Sequence, residues 1–279
     1  YVIASDTDSI YLNLGPLVHK FFANKSSDKA KVVELLDKIC SDKLEPYIDK
    51  CYTDLASYVS AYDQKMQMKR ENIADRGIWT AKKRYILNVW NSEGVQYSEP
   101  KLKMMGIEAV KSSTPAPCRK MIKDALKLMM SGTEEDVIDF IDKSRTEFKS
   151  LPPEQISFPR SVSDVVKYKS SSSIYIKGTP IHCRGALLFN HYIKKNKLDN
   201  KYSLIKNGEK IKFCYLKKPN PMHENVISFI QDFPKELNID KYLDYDLQFE
   251  KSFVEPLKAI LDAIGWNVEK TVNLELFFS

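Results

Sequence analysis

The sequence has no C-x-x-C pair, no apolar run of 18 residues and no second histidine at ligand spacing from His182. Its five cysteines, Cys40, Cys51, Cys118, Cys183 and Cys214, are scattered and odd in number, which supports neither a disulfide framework nor a zinc knuckle. A reducing compartment is the default for such thiols. Nor is there a charged-then-apolar leader with a cleavage site. Membrane insertion and secretion are therefore not expected, and a soluble intracellular protein is.

What is present is a chain of 279 residues, long enough to bury an ample core in one large or two moderate domains. Lys and Arg number 43 against 37 Asp and Glu, a net charge of +6 that suits an anionic partner without proving one. Where the cations cluster matters more than their sum.

The most informative stretch comes first. Tyr1-Val2-Ile3-Ala4-Ser5 and Ser9-Ile10-Tyr11-Leu12 flank Asp6-Thr7-Asp8, which reads as a β-hairpin with two carboxylates at its tip. Residues two apart can project to the same side of an extended chain, and paired carboxylates repel unless a cation lies between them. All-oxygen donors suit Mg²⁺, with Mn²⁺ as an alternative, and such ions commonly act in pairs about 4 Å apart in phosphoryl transfer. Taken alone, Asp-x-Asp more often marks a solvated turn braced by its own Asp side chains.

The flanks add to that reading. Asp6-Thr7-Asp8-Ser9-Ile10-Tyr11 resembles the palm motif C of family B DNA polymerases. Met68-Lys69-Arg70-Glu71 and Trp79-Thr80-Ala81-Lys82-Lys83-Arg84-Tyr85 look like the next palm strands, the second carrying the Lys-Lys-Arg-Tyr primer-end motif. Lys101 to Glu108, then Ser112-Ser113-Thr114-Pro115, is similar to the palm-to-thumb passage of the T-even bacteriophage type. His182-Cys183-Arg184-Gly185 resembles the thumb His-x-Arg-Gly element. The resemblance covers essentially the whole chain in the right order.

It implies an α+β fold: residues 1–109 form an antiparallel palm sheet backed by helices, and 110–279 a mainly helical thumb with a β-hairpin and a clamp-binding tail. It also implies a DNA-directed DNA polymerase that adds deoxynucleotides to a primer 3′ end using two Mg²⁺ ions. Asp8 and Asp6 would be the catalytic metal ligands. Glu71 matches a family acid near the metals, whereas Lys69 departs from the Asp that relatives often carry. Lys82, Lys83, Arg84 and Tyr85 would meet the primer end, and Lys167, Lys177 and Arg184 the duplex. Leu276, Phe277 and Phe278 resemble the Phe-rich tail that docks on a sliding clamp.

The implied partners are primer-template DNA, deoxynucleoside triphosphates, the clamp and an upstream polymerase segment. That segment would supply the editing exonuclease, the fingers and the palm motif with the other metal-binding Asp, none of which appears in these residues. The expected setting is the cytoplasm of a bacterial host. With Tyr1 as first residue, inside the hairpin, the chain reads as a fragment or one piece of a split enzyme. The alternative is an inactive module that only binds DNA and the clamp.

Periodicity supplies the rest. Ser26-Ser27-Asp28 offers N-caps for a helix through Val32, Leu35, Leu36 and Ile39, and Ile48, Cys51, Tyr52, Leu55 and Val59 continue it beyond Pro46; both stripes are expected in the core. From Gln64 to Asn91 the period shortens to two, predicting strands joined near Asp75-Arg76-Gly77, with Asn91-Ser92-Glu93-Gly94 turning into a third. With the opening hairpin these would complete one sheet. Helices follow from Thr114-Pro115 to Gly132, from Thr133 with Asp136 as a capping box, and through Leu187 and Ile193. Lys201 to Lys218 reads as a hairpin turning on Asn207-Gly208, its lysines either near phosphates or guarding an exposed edge. Ser170 to Ser173 is either a phosphate-following loop or merely an irregular one. His182 reads foremost as a structural histidine. Phe249, Phe253, Leu257, Ile260, Leu261 and Ile264 mark a long apolar helix face.

Overall fold

The computed structural model describes residues 1–22, 28–170 and 172–269. Ser26, Ser27 and the tail with Leu276, Phe277 and Phe278 lie outside the described residues, as does Ser171 of the serine tract. The fold is α+β with antiparallel sheets and several helices, as expected. Two compact units are present, one of residues 1–77 and 86–103, the other of 78–85 and the chain from Met104 onward.

In the first unit, β1 (Val2–Asp6) pairs antiparallel with β2 (Ser9–Leu12), Asp6 facing Ser9 across a Thr7-Asp8 turn. The apolar flanks form strands and the polar triplet the tip. A short helix that periodicity did not signal, α1 (Gly15–Phe22), follows; the Asn13 side chain accepts from the Gly15 N–H at 2.8 Å and so stops the strand. Next come α2 (Lys29–Ile39), with Asp28 as its N-cap, and α3 (Glu45–Tyr58). A π-helical turn at Cys40–Leu44 links them, its Glu45 N–H reaching back to the Cys40 carbonyl. Pro46 explains the widening: it has no N–H to give and its ring crowds the carbonyl four residues back.

The α2 and α3 stripes are less buried than expected. Val33 and Cys40 are enclosed, but α3 buries no residue fully and Leu55 and Val59 are exposed. Spacing identified the helices; what covers a face depends on tertiary neighbours, which spacing does not record.

Strands β3 (Asn72–Ala81), β4 (Arg84–Ser92) and β5 (Val95–Met105) form a sheet in that order. The β4–β5 turn is at Glu93-Gly94, as predicted, both with positive φ (50° and 87°), the signature of a type I′ hairpin. The first joint is not where it was expected. Asp75-Arg76-Gly77 lies within β3, and the chain reverses at Lys82-Lys83. Gly77 can continue a strand, whereas Lys83 takes the left-handed backbone (φ 59°) that the reversal requires.

Met68-Lys69-Arg70-Glu71, expected as a strand, is irregular. Its hydrogen bonds go elsewhere: the Arg70 N–H donates to Glu45 at 3.0 Å, and its guanidinium pairs with Asp37 and donates to Asn91 at 2.8 Å. The opening hairpin is also a two-stranded sheet of its own, separate from β3–β5. Three helices intervene in the chain, and only strands joined by short turns are bound to pair.

In the second unit, α4 (Ala116–Ser131) and α5 (Glu134–Phe148) pack on the closing helices. The capping box is present: Thr133 Oγ1 accepts from the Asp136 N–H, and Asp136 from the Thr133 N–H at 2.8 Å. After the short α6 (Pro153–Ile156), β6 (Phe158–Ser161) precedes α7 (Ile181–Lys195), β7 (Lys210–Tyr215) and β8 (Val226–Phe229). The sheet order is β6-β7-β8, antiparallel throughout, with Phe158 opposite Phe213 and Tyr215 opposite Val226.

A hairpin folded on Asn207-Gly208 is thus absent, although the turn exists (Gly208 φ 85°). Its first arm is captured by α7, because the Asn190 amide both accepts from the Ile205 N–H and donates to the Ile205 carbonyl, each at 2.8 Å. That side chain satisfies the groups a partner strand would have used, and β7 pairs with β6 instead.

Gly185 lets α7 sit directly on β8: a Cβ there would meet the Ser228 N at 2.9 Å and the Ile227 carbonyl carbon at 3.1 Å. The chain then runs through α8 (Tyr245–Phe249), a π-helical turn and α9 (Glu255–Leu261). Pro256 stands to the second π turn as Pro46 does to the first. Phe249, Phe253, Leu257, Ile260 and Leu261 of the predicted apolar face are buried, Ile264 at its end is only half-buried, and Gly265 closes the last turn with φ 73°.

Candidate active site

The β1–β2 tip is small and polar. Asp6 ends β1, and its Oδ1 accepts from the Thr7 N–H at 2.9 Å and from Thr7 Oγ1 at 3.3 Å, so one carboxylate oxygen braces the turn. Asp8, the second turn residue, is exposed. The arrangement therefore has one half-buried carboxylate shaping the tip and one presented outward. Both offer the hard oxygen donors that Mg²⁺ prefers.

Among the described residues no three His, Cys, Asp or Glu side chains are grouped so as to hold an ion. Glu71 is not gathered with Asp6 and Asp8 into such a set. Its carboxylate accepts from Lys103 Nζ at 3.3 Å, and its carbonyl from the Glu93 N–H at 2.6 Å. The carboxylate pair fits part of a metal site rather than a whole one.

In the second unit, the Lys82-Lys83-Arg84-Tyr85 motif occupies the β3–β4 turn. Lys82 and Lys83 are exposed on it. Arg84 is committed inward: its guanidinium donates to both Glu108 carboxylate oxygens, at 3.1 and 2.8 Å, and Lys111 joins the same carboxylate at 2.8 Å. Burial pushes the Glu108 carboxyl up, but the hydrogen bonds from Lys111 and Arg84 outweigh it and hold the group below the ordinary carboxylate range. Gly106 permits this closeness. With φ 66°, it has no Cβ to strike the Lys83 carbonyl at 2.5 Å or Arg84 Cγ at 2.9 Å. Tyr85 packs near Trp79, ring centroids 6.5 Å apart.

Of the four motif side chains, two cations are thus displayed and one is a strut. Sequence reasoning treated Arg84 as a fourth contact and missed Glu108 and Gly106 as its supports. The signal was Gly-Ile-Glu directly after a strand rich in lysine.

Comparison with known proteins bears on these motifs. No family model matches the chain. It is 33% identical, over 98% of its length, to the DNA-directed DNA polymerase of Escherichia phage RB69, and 28% identical over its whole length to that of Enterobacteria phage T4. The chain is homologous to these phage polymerases. It spans about a third of their length, 31% and 32% respectively. The matched length takes in the hairpin, the Lys-Lys-Arg-Tyr turn and the second unit's helices and sheet.

The remaining sequence-predicted residues lie in that second unit. His182, in the first turn of α7, has its ring near Phe213, and its carbonyl accepts from Ser228 Oγ at 3.0 Å. Burial, then the Arg160 charge, holds its imidazole below the ordinary value, which suits a neutral structural residue. Arg184, one turn position on, donates to Asn225 Oδ1 at 2.6 Å and lies 5.6 Å from the Tyr175 ring centre. Lys167, in a 3-10 turn at Val165–Tyr168, and Lys177, on the loop before α7, are exposed. Two lysines of β7 and its exit are occupied, Lys212 with the Glu154 carbonyl at 3.0 Å and Lys217 with Asp246 at 3.7 Å. No helix among the described residues is long and apolar enough to cross a membrane.

Proposed function

We propose that this chain is the end of the palm and the thumb of a family B, T-even-type DNA-directed DNA polymerase, dividing near residues 109 and 110. The observation that carries this reading is homology over 98% of the chain to a phage DNA-directed DNA polymerase. The carboxylate hairpin and the cationic turn supply chemistry that accords with it.

Asp8, the outward carboxylate, would hold both Mg²⁺ ions together with an Asp from an upstream segment; Asp6 would shape the tip and contribute a second ligand. When bound, the ions would lower the pKa of the primer hydroxyl that attacks the α-phosphorus and neutralise the pyrophosphate that leaves. The protein's own residues do the positioning. Lys82 and Lys83 offer charge to primer phosphates from a turn that Arg84 fixes, and Tyr85 gives the primer end a rigid flank. Glu71, paired with Lys103, would be an auxiliary acid near the ions. Lys167 and Lys177 would neutralise duplex phosphates, and Arg184 belongs to the same surface.

The upstream segment, carrying exonuclease, fingers and the rest of the palm, is a required partner in this reading, alongside primer-template DNA and deoxynucleoside triphosphates. Leu276, Phe277 and Phe278 would dock on a sliding clamp, and the setting would be a phage-infected bacterial cytoplasm. Among the described residues Asp6 and Asp8 are not joined by a third ligand, which favours a second reading for the chain by itself: a module that binds DNA and clamp without catalysis.

Primer extension with Mg²⁺ and four deoxynucleotides separates the two. The proposal expects synthesis when the upstream segment is supplied and none from the chain alone. Failure of the mixture to extend a primer, with duplex binding intact, would leave the module reading.

A further inference from the structure

Arg184 stands where a direct phosphate contact was expected, and its surroundings describe another task. Its Nη2 is given to Asn225 at 2.6 Å, its Nε is buried with no partner among the described residues, and its Cζ lies 5.6 Å from the centre of the Tyr175 ring. Tyr175 in turn donates its hydroxyl to Glu224 at 2.6 Å.

These contacts join two loops. One, residues 168–170 and 172–178, packs Tyr168, Ile174 and Tyr175 on the core and is braced by Ile176 N–H to the Tyr168 carbonyl at 3.1 Å and Ser173 Oγ to the Tyr175 carbonyl at 2.7 Å. The other, 217–225, is folded about Asn220, whose amide donates to the Lys217 and Glu224 carbonyls at 2.7 and 2.6 Å. Tyr175–Glu224 crosses from one loop to the other, and Arg184, on α7, reaches Asn225 of the second loop and the Tyr175 ring of the first. Each also displays cations: Lys169 and Lys177 on the first, Lys218 on the second.

A planar guanidinium can hold an amide at one edge while its face covers a ring; an ammonium cannot do both. We infer that Arg184 is a positioning residue, tying residues 172–178 and the 217–225 loop to α7 as one surface whose lysines meet the duplex phosphates. This rests on the DNA-binding reading above.

The test uses the full 279-residue chain, a short primer-template duplex and anisotropy titrations across a salt series. Arg184→Gln should weaken binding about 3- to 10-fold, the scale of one lost structural hydrogen bond. Arg184→Lys should not restore it. Asn225→Ala, which removes no charge, should lose as much, and the double variant no more than either alone. Lys177→Gln, a direct contact, should instead lower the salt slope by about one. Hydrogen exchange without DNA should rise in both loops for Arg184→Gln and for Asn225→Ala.

Near-normal binding by Arg184→Lys with Asn225→Ala unaffected would overturn the inference and make Arg184 a simple phosphate contact. Unchanged exchange in both loops would overturn it independently of DNA. A wild-type chain without salt-dependent duplex binding would overturn the DNA reading itself, and the inference with it.

Discussion

Replacing Gly106 by alanine perturbs the cationic turn through a single methyl group. The new Cβ would lie 2.5 Å from the Lys83 carbonyl oxygen and 2.9 Å from Arg84 Cγ. Arg84 Cγ can swing aside; the Lys83 carbonyl is backbone and takes the turn with it. A non-glycine residue at φ 66° costs about 1–2 kcal/mol. The reduced freedom of the unfolded chain returns about 0.4–1 kcal/mol. Overpacking against backbone adds about 1–3 kcal/mol. The net expectation is a loss of roughly 1–5 kcal/mol, summed from those terms.

Gly208 provides the control. It lies in the same unit, has φ 85°, and has nothing within 4 Å of its notional Cβ. Gly208→Ala carries the strain and unfolded-state effects but not the collision, so the difference between the two variants should be about 1–3 kcal/mol. Urea unfolding, with m-values unchanged, measures it. A difference below about 0.5 kcal/mol, the scale of an ordinary surface change, would refute the claim that Gly106 is fixed by contact with the turn.

Two further outcomes follow from the ionisable groups. Glu108, held below its ordinary value of 4.5, contributes stability that is present above that value and lost as pH falls through its lowered folded pKa. The stability gap between the native chain and Glu108→Gln should therefore be open at neutral pH and close in acid; a gap independent of pH would deny the Arg84–Glu108–Lys111 network. Among the thiols, burial pushes Cys118 up to about 11 and Cys214 up to about 12, and Cys40 and Cys183 are buried too. Only exposed Cys51 should react rapidly with a disulfide reagent in the native state, and Cys51→Ser should abolish the fast phase.

How much of this was legible beforehand depended on which physical rule decided each element. The apolar runs on either side of Asp6-Thr7-Asp8 gave the hairpin, though not its register, which shifts between Val2 and Ala4. Thr133 and Asp136 gave the capping box, and Phe249 to Leu261 a buried face, since both signals are local. The β3–β4 joint was misplaced because Gly77 is a stronger turn signal than Lys82-Lys83, and only the pairing partner reveals which is used. The supposed hairpin on Asn207-Gly208 failed for a nonlocal reason, the Asn190 side chain on α7. At the candidate site, the sequence identified which cations cluster but not which are displayed. Arg84 and Arg184 both turn inward to partners, Glu108 and Asn225, that are distant in the chain or carry no charge.

The most direct test of the polymerase account is single-turnover nucleotide addition by the reconstituted enzyme, upstream segment included, with Asp8→Asn in place of the native hairpin. Because Asp8 is exposed and it is Asp6 whose carboxylate braces the turn, the substitution should leave the fold and DNA affinity nearly unchanged. The account predicts that the rate of addition falls by on the order of 10³ or more, the scale expected when a catalytic group is removed. Addition at a near-native rate would contradict it and take the carboxylate hairpin out of the reaction.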